Sequence, residues 1–233
     1  MDDRTESTAM IAVQGPQANK IVAKLTSVDP DTLSYYTGAS CQFGGGEIAG
    51  DIILTRTGYT GEDGCEIICD GSIAITIWEQ VFAAAQKIDG GASGLACRDT
   101  LRLEAGMPLY GHELTEDINA AQADLRFAMQ LKDRDFTGKA AIVAAMKDSS
   151  LPVRVGLQLE GRRAAREGCA VIVGEKNVGT VVSGTFAPTL QKSISMAYLL
   201  PEAAELGTEV TVDIRGKSHP AVVVEVPFYK RPS

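Results

Sequence analysis

The segment TRTGYTGEDGCEI, Thr55 to Ile67, places three glycines at every third position, Gly58, Gly61 and Gly64, between the apolar runs Ile52–Leu54 and Cys65–Cys69. Glycines so spaced imply backbone at positive φ or in close approach, as in the long connection of a β-hairpin. Alternation along the second run puts Cys65, Ile67 and Cys69 on one face and Glu66 with Ile68 on the other. Glu66 thus has an apolar companion, and it reads either as an edge-strand charge that deters aggregation or as a carboxylate that accepts hydrogen bonds from a ligand. Tyr59 in the turn caps a core or contacts that ligand. GYTGEDG has neither GK[ST] nor G-x-G-x-x-G, which argues against phosphate-mediated nucleotide binding.

A second group lies in GLACRDTLRLEAGMPLYGHEL, Gly94 to Leu114. There Asp99 is expected to cap a helix over Leu101–Met107, with Arg98 just before its start. A cation at that end opposes the helix dipole and calls for an anionic partner, which is either an internal salt bridge to Glu104 or Asp99, or a ligand.

Around these groups the chain reads as two parts. Met10–Val13 is a short strand, followed by a helical stretch with Ile21, Val22 and Leu25 on one face. Gly44 to Gly46 separate the run Cys41–Phe43 from a strand over Ile48–Leu54. Residues Ile73–Ile88 form an amphipathic helix in which Trp78 is expected in the core. Another helix follows at Lys139–Met146. After Ser149-Ser150 and Pro152 come six β-rich runs, Val153–Leu159, Ala170–Val173, Val178–Val182, Ser193–Leu199, Glu209–Ile214 and Ala221–Val226, the mark of a small antiparallel barrel or sandwich.

The 233 residues suffice for one or two domains, and 45% hydrophobic with 22% charged residues is a globular composition. With 22 basic against 30 acidic residues the formal charge is −8, which argues against nucleic acid and anionic membrane surfaces as general partners. No apolar run approaches a membrane span, and MDDRTEST lacks the order of a signal peptide. Five cysteines without C-x-x-C and two distant histidines, His112 and His219, read as reduced, mostly buried thiols; neither zinc nor a Cys–His nucleophile is suggested.

Taken together, the two blocks resemble the aminomethyltransferase family, the T-protein of the glycine cleavage system. The resemblance continues in order through IAVQGPQA, DFTGKAA, GRRAAREG, VGTVVSGTFAPTL, ISMAYL, VDIRGK and PFYKR. It implies an α+β architecture: a mixed α/β folate-binding domain over 1–148, incomplete at its N-terminus, and a small antiparallel β-barrel over 149–233. It implies tetrahydrofolate as one-carbon acceptor, with the family's pterin-contacting glutamate on Glu66, its motif tyrosine on Tyr59, its folate-site arginine on Arg98, and its C-terminal basic element on Lys230, with Arg231 beside it. The partner implied is the lipoylated H-protein, whose aminomethyl group would lose its one-carbon unit to folate with release of ammonia.

Members of the family carry a further N-terminal segment that includes the aspartate regarded as their key catalytic carboxylate. No residue here is given that role, Asp2 and Asp3 included, so the catalytic residue is unassigned. The expectation is a chain matching the C-terminal two-thirds of the family's, inactive alone and prone to self-association through uncovered apolar surface. The resemblance extends to the folate domains of dimethylglycine and sarcosine dehydrogenases, whose flavin domain has no counterpart here. It does not extend to the K-G-C-Y-x-G-Q-E signature of the folate-dependent iron–sulfur assembly proteins. A non-catalytic folate-binding or partner-binding module is the rival reading, and a bacterial cytoplasm is the expected setting in preference to a mitochondrial matrix.

Overall fold

The computed structural model describes residues 2–44 and 49–232. Gly45, Gly46 and Ile48, part of the expected glycine break and strand start, lie outside them. The chain divides into two compact units, Met1–Arg98 and Asp99–Ser233.

The first unit is built on a four-stranded antiparallel sheet of β1 (Thr8–Gln14), β2 (Gly38–Phe43), β3 (Gly50–Thr55) and β4 (Gly64–Asp70), in the order β1-β4-β3-β2. Period-two alternation sends Ile11, Val13, Phe43, Ile52, Leu54, Cys65, Ile67 and Cys69 to one face, where they are buried. Two helices contribute to that core, α1 (Ala18–Val22) through Ala18 and Val22, and α2 (Ala74–Gln86) through Ile77 and Val81. Full burial of a side chain such as Leu54 or Ile67 stabilises by roughly 1.5–3 kcal/mol. The other face of the sheet carries Met10 and Ala12 on β1, Ile53 and Thr55 on β3, and Glu66 and Ile68 on β4.

Trp78 is not a core residue: it is 46% exposed and stacks on Phe82 with ring centroids 6.3 Å apart. The sheet-facing stripe of α2 is set by Ile77 and Val81, four residues apart. Trp78 and Phe82 are the next i, i+4 pair around the cylinder and lie on its flank.

The helix expected over Leu101–Met107 is α3 (Leu95–Glu104), and the division between the units falls within it. It starts six residues early because LACRDT contains no helix breaker after Gly94. Asp99 therefore sits inside the helix and does not cap it, and its carboxylate accepts from Arg102 Nε three residues on, at 2.8 Å. Arg98 likewise lies within the helix, its N–H bonded to the Gly94 carbonyl.

In the second unit α4 (Lys139–Ala145) precedes a closed six-stranded barrel. Its strands are β5 (Val153–Leu159), β6 (Ala170–Val173), β7 (Lys176–Ala187), β8 (Lys192–Leu199), β9 (Glu209–Asp213) and β10 (Ser218–Val224), in the order β10-β5-β8-β7-β6-β9. Every pairing is antiparallel. Leu157, Leu159, Val171, Val181, Leu199, Val212 and Val223 belong to its buried core. The strand expected at Val178–Val182 is longer at both ends, since pairing with β8 runs on to Ala187. A bulge between Val181 and Ser183 shifts the register there and leaves Val181 in the core while Ser183 Oγ accepts from Arg102 Nη2 at 2.7 Å.

Candidate functional site

Glu66 sits in the middle of β4, directly opposite Ala12 of β1 and Thr55 of β3. Its neighbour on β1 is the small, exposed Ala12, and Glu66 itself is half-buried. Thr57, the second residue of the β3–β4 connection, donates its hydroxyl to Glu66 Oε2. Thr55 and Thr57 hydroxyls lie 2.6 Å apart, so a chain of side-chain hydrogen bonds ends on the carboxylate.

The connection carrying Thr57 and Tyr59 is pinned at three places. Arg56 at its start and Asp63 at its end form a two-point ion pair, Nε to Oδ1 at 3.2 Å and Nη2 to Oδ2 at 2.6 Å. The Asp63 hydrogen bond pushes the Arg56 guanidinium still further up from its ordinary value. Arg56 Nη1 also donates to the Leu33 carbonyl at 3.0 Å.

Gln14, the last residue of β1, makes the third tie. Its Nε2 donates to the carbonyls of Thr57 and Cys65, both at 3.1 Å, and its Oε1 accepts from Thr60 Oγ1 at 3.3 Å. Two of the three glycines follow from this side chain. A Cβ on Gly58 would stand 1.9 Å from Gln14 Oε1, and one on Gly64 would stand 2.5 Å from the Val13 carbonyl oxygen and 2.7 Å from Gln14 Nε2. Gly61 is explained differently, by φ +80°.

Tyr59 and Arg98 are brought together: the guanidinium carbon lies 4.9 Å from the ring centroid, a cation–π contact. The group that Arg98 faces is thus an aromatic ring in place of the expected internal carboxylate. Of the two internal acids considered for it, Asp99 is bound by Arg102, and Glu104 Oε1 accepts from the Thr189 N–H at 3.2 Å. Half-buried over a ring, the Arg98 guanidinium keeps in-plane donors for an acceptor. Lys230 and Arg231 lie in the exposed C-terminal tail of the second unit, where Lys230 Nζ contacts Glu225 Oε2 at 3.1 Å.

Gln14 and Thr57 were not singled out by the sequence reading, although the close approach inferred at Gly58 and Gly64 pointed to some side chain filling that space. A second missed pair is Arg102 with Glu113. Arg102 is 1% and Glu113 0% exposed, and they meet at 2.8 Å. Arg102 also donates to the Met107 carbonyl, and Glu113 Oε2 accepts the Leu109 N–H.

All five cysteines are free thiols, with Cys65 and Cys69 buried and Cys97 exposed, so the set is less uniformly buried than expected. Burial pushes the Cys65 thiol up to about 12, with Asp63 adding to the rise, and burial raises Cys69 as well. An acid whose folded pKa is raised stabilises below its unfolded value and loses that contribution as pH climbs toward the folded one. Stability of the first unit therefore falls between about pH 9 and 12, where the unfolded chain sheds the Cys65 proton and the folded chain keeps it. Alkylation at pH 8 followed by mass mapping is expected to label Cys97 first and Cys65 only on unfolding. Early labelling of Cys65 would contradict the packing.

A four-stranded antiparallel sheet with helices on its core face, in a chain that also carries a closed six-stranded antiparallel barrel, defines a two-part α+β protein. The first part of the chain, residues 1–133, matches the family model described as the GCVT N-terminal domain, and residues 153–230 match the glycine cleavage T-protein C-terminal barrel domain. The chain belongs to the glycine cleavage T-protein family.

Among its relatives are proteins named aminomethyltransferase from Cutibacterium acnes, 45% identical over 237 residues that cover 98% of this chain and 62% of the relative. Those from Streptomyces coelicolor and Synechococcus elongatus are 46% and 43% identical, over 99% and 98% of this chain and 62% and 59% of theirs. The chain thus spans about three-fifths of the length of these curated relatives. The crystal structure of a glycine cleavage system aminomethyltransferase T from Bartonella henselae shares the fold, with TM-score 0.72, 24% identity, and coverage of 96% of this chain and 84% of that one. Among the described residues no helix is long and apolar enough to cross a membrane.

Proposed function

We propose that this chain carries the tetrahydrofolate-binding part of an aminomethyltransferase. The observation that carries this reading is Glu66, a carboxylate held by Thr57 on the sheet face opposite the core, in the same connection that sets Tyr59 against Arg98. A pterin edge offers an N–H and an adjacent amino group, and a carboxylate accepts such a pair through its two oxygens. Arg98, braced by Tyr59, supplies donors for a carbonyl or carboxylate of the folate. The sheet and its helices form the core of the folate-binding part, placed over residues 1–148, with the barrel part over 149–233. Lys230 and Arg231 are assigned to folate by the resemblance of PFYKR alone.

In the whole protein the reaction would pass the one-carbon unit of an aminomethyl group, carried as a sulfide on the lipoyl arm of H-protein, to tetrahydrofolate. Two amines of the folate form bonds to the carbon as its bonds to the amino group and to sulfur break, and their two protons leave with the ammonia and the thiol, giving methylenetetrahydrofolate. This chain's share of that task is to bind and orient the folate so that its amine meets the carbon. Its bacterial relatives favour a bacterial setting.

Calorimetric titration of 5-formyltetrahydrofolate into the folded chain tests the reading. Saturable binding is expected, weakened at least about 30-fold in Glu66→Gln because a charge-assisted pair becomes a mismatched amide. A folded wild-type chain that binds no folate would end the proposal.

A further inference from the structure

Glu66 is held by a hydroxyl that comes from outside its own strand, and that hydroxyl is itself held. Thr57 donates to Glu66 Oε2, and a hydroxyl has one proton, so toward Thr55, 2.6 Å away, Thr57 must accept. Thr55 then donates, and the order of the chain is Thr55 to Thr57 to Glu66. The 3.4 Å approach of Thr55 Oγ1 to the Glu66 carbonyl is the longer of the two options open to that proton. Each donor in such a chain is polarised by the next, and it terminates on a charge, where hydrogen bonds are strongest.

The backbone of Thr57 is tied separately, its carbonyl accepting from Gln14 Nε2 at 3.1 Å. The hydroxyl therefore cannot drift with the loop. A Glu side chain on an open strand face has three rotatable bonds, and holding one oxygen removes much of that freedom before a ligand arrives.

We propose that Thr57, backed by Thr55, is a positioning residue that fixes the Glu66 carboxylate in the orientation that accepts the paired donors of the pterin. The proposal rests on the folate-binding reading above and adds to it the group that sets the geometry of the carboxylate. Because Thr57 occupies one lone pair of Oε2 only, both oxygens keep acceptor capacity for a ligand. Thr57 does not contact the reacting atoms, and it acts through Glu66.

The test pairs Thr57→Val, which keeps the shape and removes the hydroxyl, with Thr57→Ser, which keeps the hydroxyl. Crystal structures of both folded variants without ligand are expected to show Glu66 displaced from its wild-type position in Thr57→Val and retained in Thr57→Ser. Titration with 5-formyltetrahydrofolate is expected to show about tenfold weaker binding for Thr57→Val and recovery to within about threefold for Thr57→Ser, the scale of one hydrogen bond to a charged group. In a Glu66→Gln background, Thr57→Val should add little, since the carboxylate it serves is gone.

An unmoved Glu66 in Thr57→Val, a Thr57→Ser variant that behaves like Thr57→Val, or full additivity with Glu66→Gln would each overturn the positioning role. Absence of folate binding by the wild-type chain would sink the proposed function instead. The ligand-free structures would in that case decide whether Thr57 positions Glu66.

Discussion

Glu113→Ala is expected to lower the unfolding free energy of the barrel-bearing unit by roughly 3–5 kcal/mol, the usual cost of stranding one member of a buried ion pair. Arg102 is 1% exposed, and its guanidinium is shared among Glu113, the Met107 carbonyl, Ser183 Oγ and Asp99. Of these, Glu113 is the only one that is both charged and fully buried, since Asp99 is half exposed. Removing it also orphans the Leu109 N–H, which adds a desolvated donor.

A double variant, Arg102→Met with Glu113→Leu, separates charge from shape. It removes the stranded charge, so it should recover much of the loss. It cannot recover all of it, because Leu109 still lacks its acceptor and Ser183 its donor. Chemical denaturation followed by far-ultraviolet circular dichroism measures both variants. A Glu113→Ala loss below about 1 kcal/mol would mean that solvent reaches the pair.

The same pair shows where sequence reading stops. Strands were legible because apolar alternation is a local signal: Val153–Leu159 and Ala170–Val173 lie where the pattern put them. The face assignment on β4 was legible for the same reason, with Cys65, Ile67 and Cys69 all buried. Helix position was less so. In α3 the charged residues Arg98 and Arg102 masked an early start, because their partners, a tyrosine ring for Arg98 and a glutamate and a barrel serine for Arg102, lie outside the helix. Trp78 was misplaced because size alone does not say which side of an amphipathic helix faces the sheet.

At the site, residue identity was legible and geometry was not. Glu66 stood out as a carboxylate with an apolar companion, and the glycines implied something in close approach. That the something is Gln14, more than forty residues upstream of Gly58 and Gly64, depends on the β1–β4 register. The hydroxyl on Glu66 depends on the path of the connection, which no local pattern encodes.

That register makes Gly58 and Gly64 the most sensitive positions of the connection, and it makes them respond differently. Gly64→Ala places its Cβ 2.5 Å from the Val13 carbonyl oxygen, a backbone atom of the paired strand that cannot step aside without opening the β1–β4 ladder. A loss of about 3 kcal/mol is expected, the upper end of overpacking costs. For Gly58→Ala the three nearest atoms all belong to the Gln14 side chain, which can swing away by giving up its bonds to Thr57, Cys65 and Thr60. The expected loss is about 2 kcal/mol, the worth of two to three modest hydrogen bonds.

The two mechanisms part in a double-mutant cycle with Gln14→Ala. Once Gln14 is truncated its bonds are already gone, so Gly58→Ala should add almost nothing. Gly64→Ala should still cost most of its full amount, because the Val13 carbonyl remains. Equal coupling of both glycines to Gln14 would show that β1 yields at its end, and that the connection carrying Thr57 and Tyr59 is braced by the Arg56–Asp63 pair more than by the sheet.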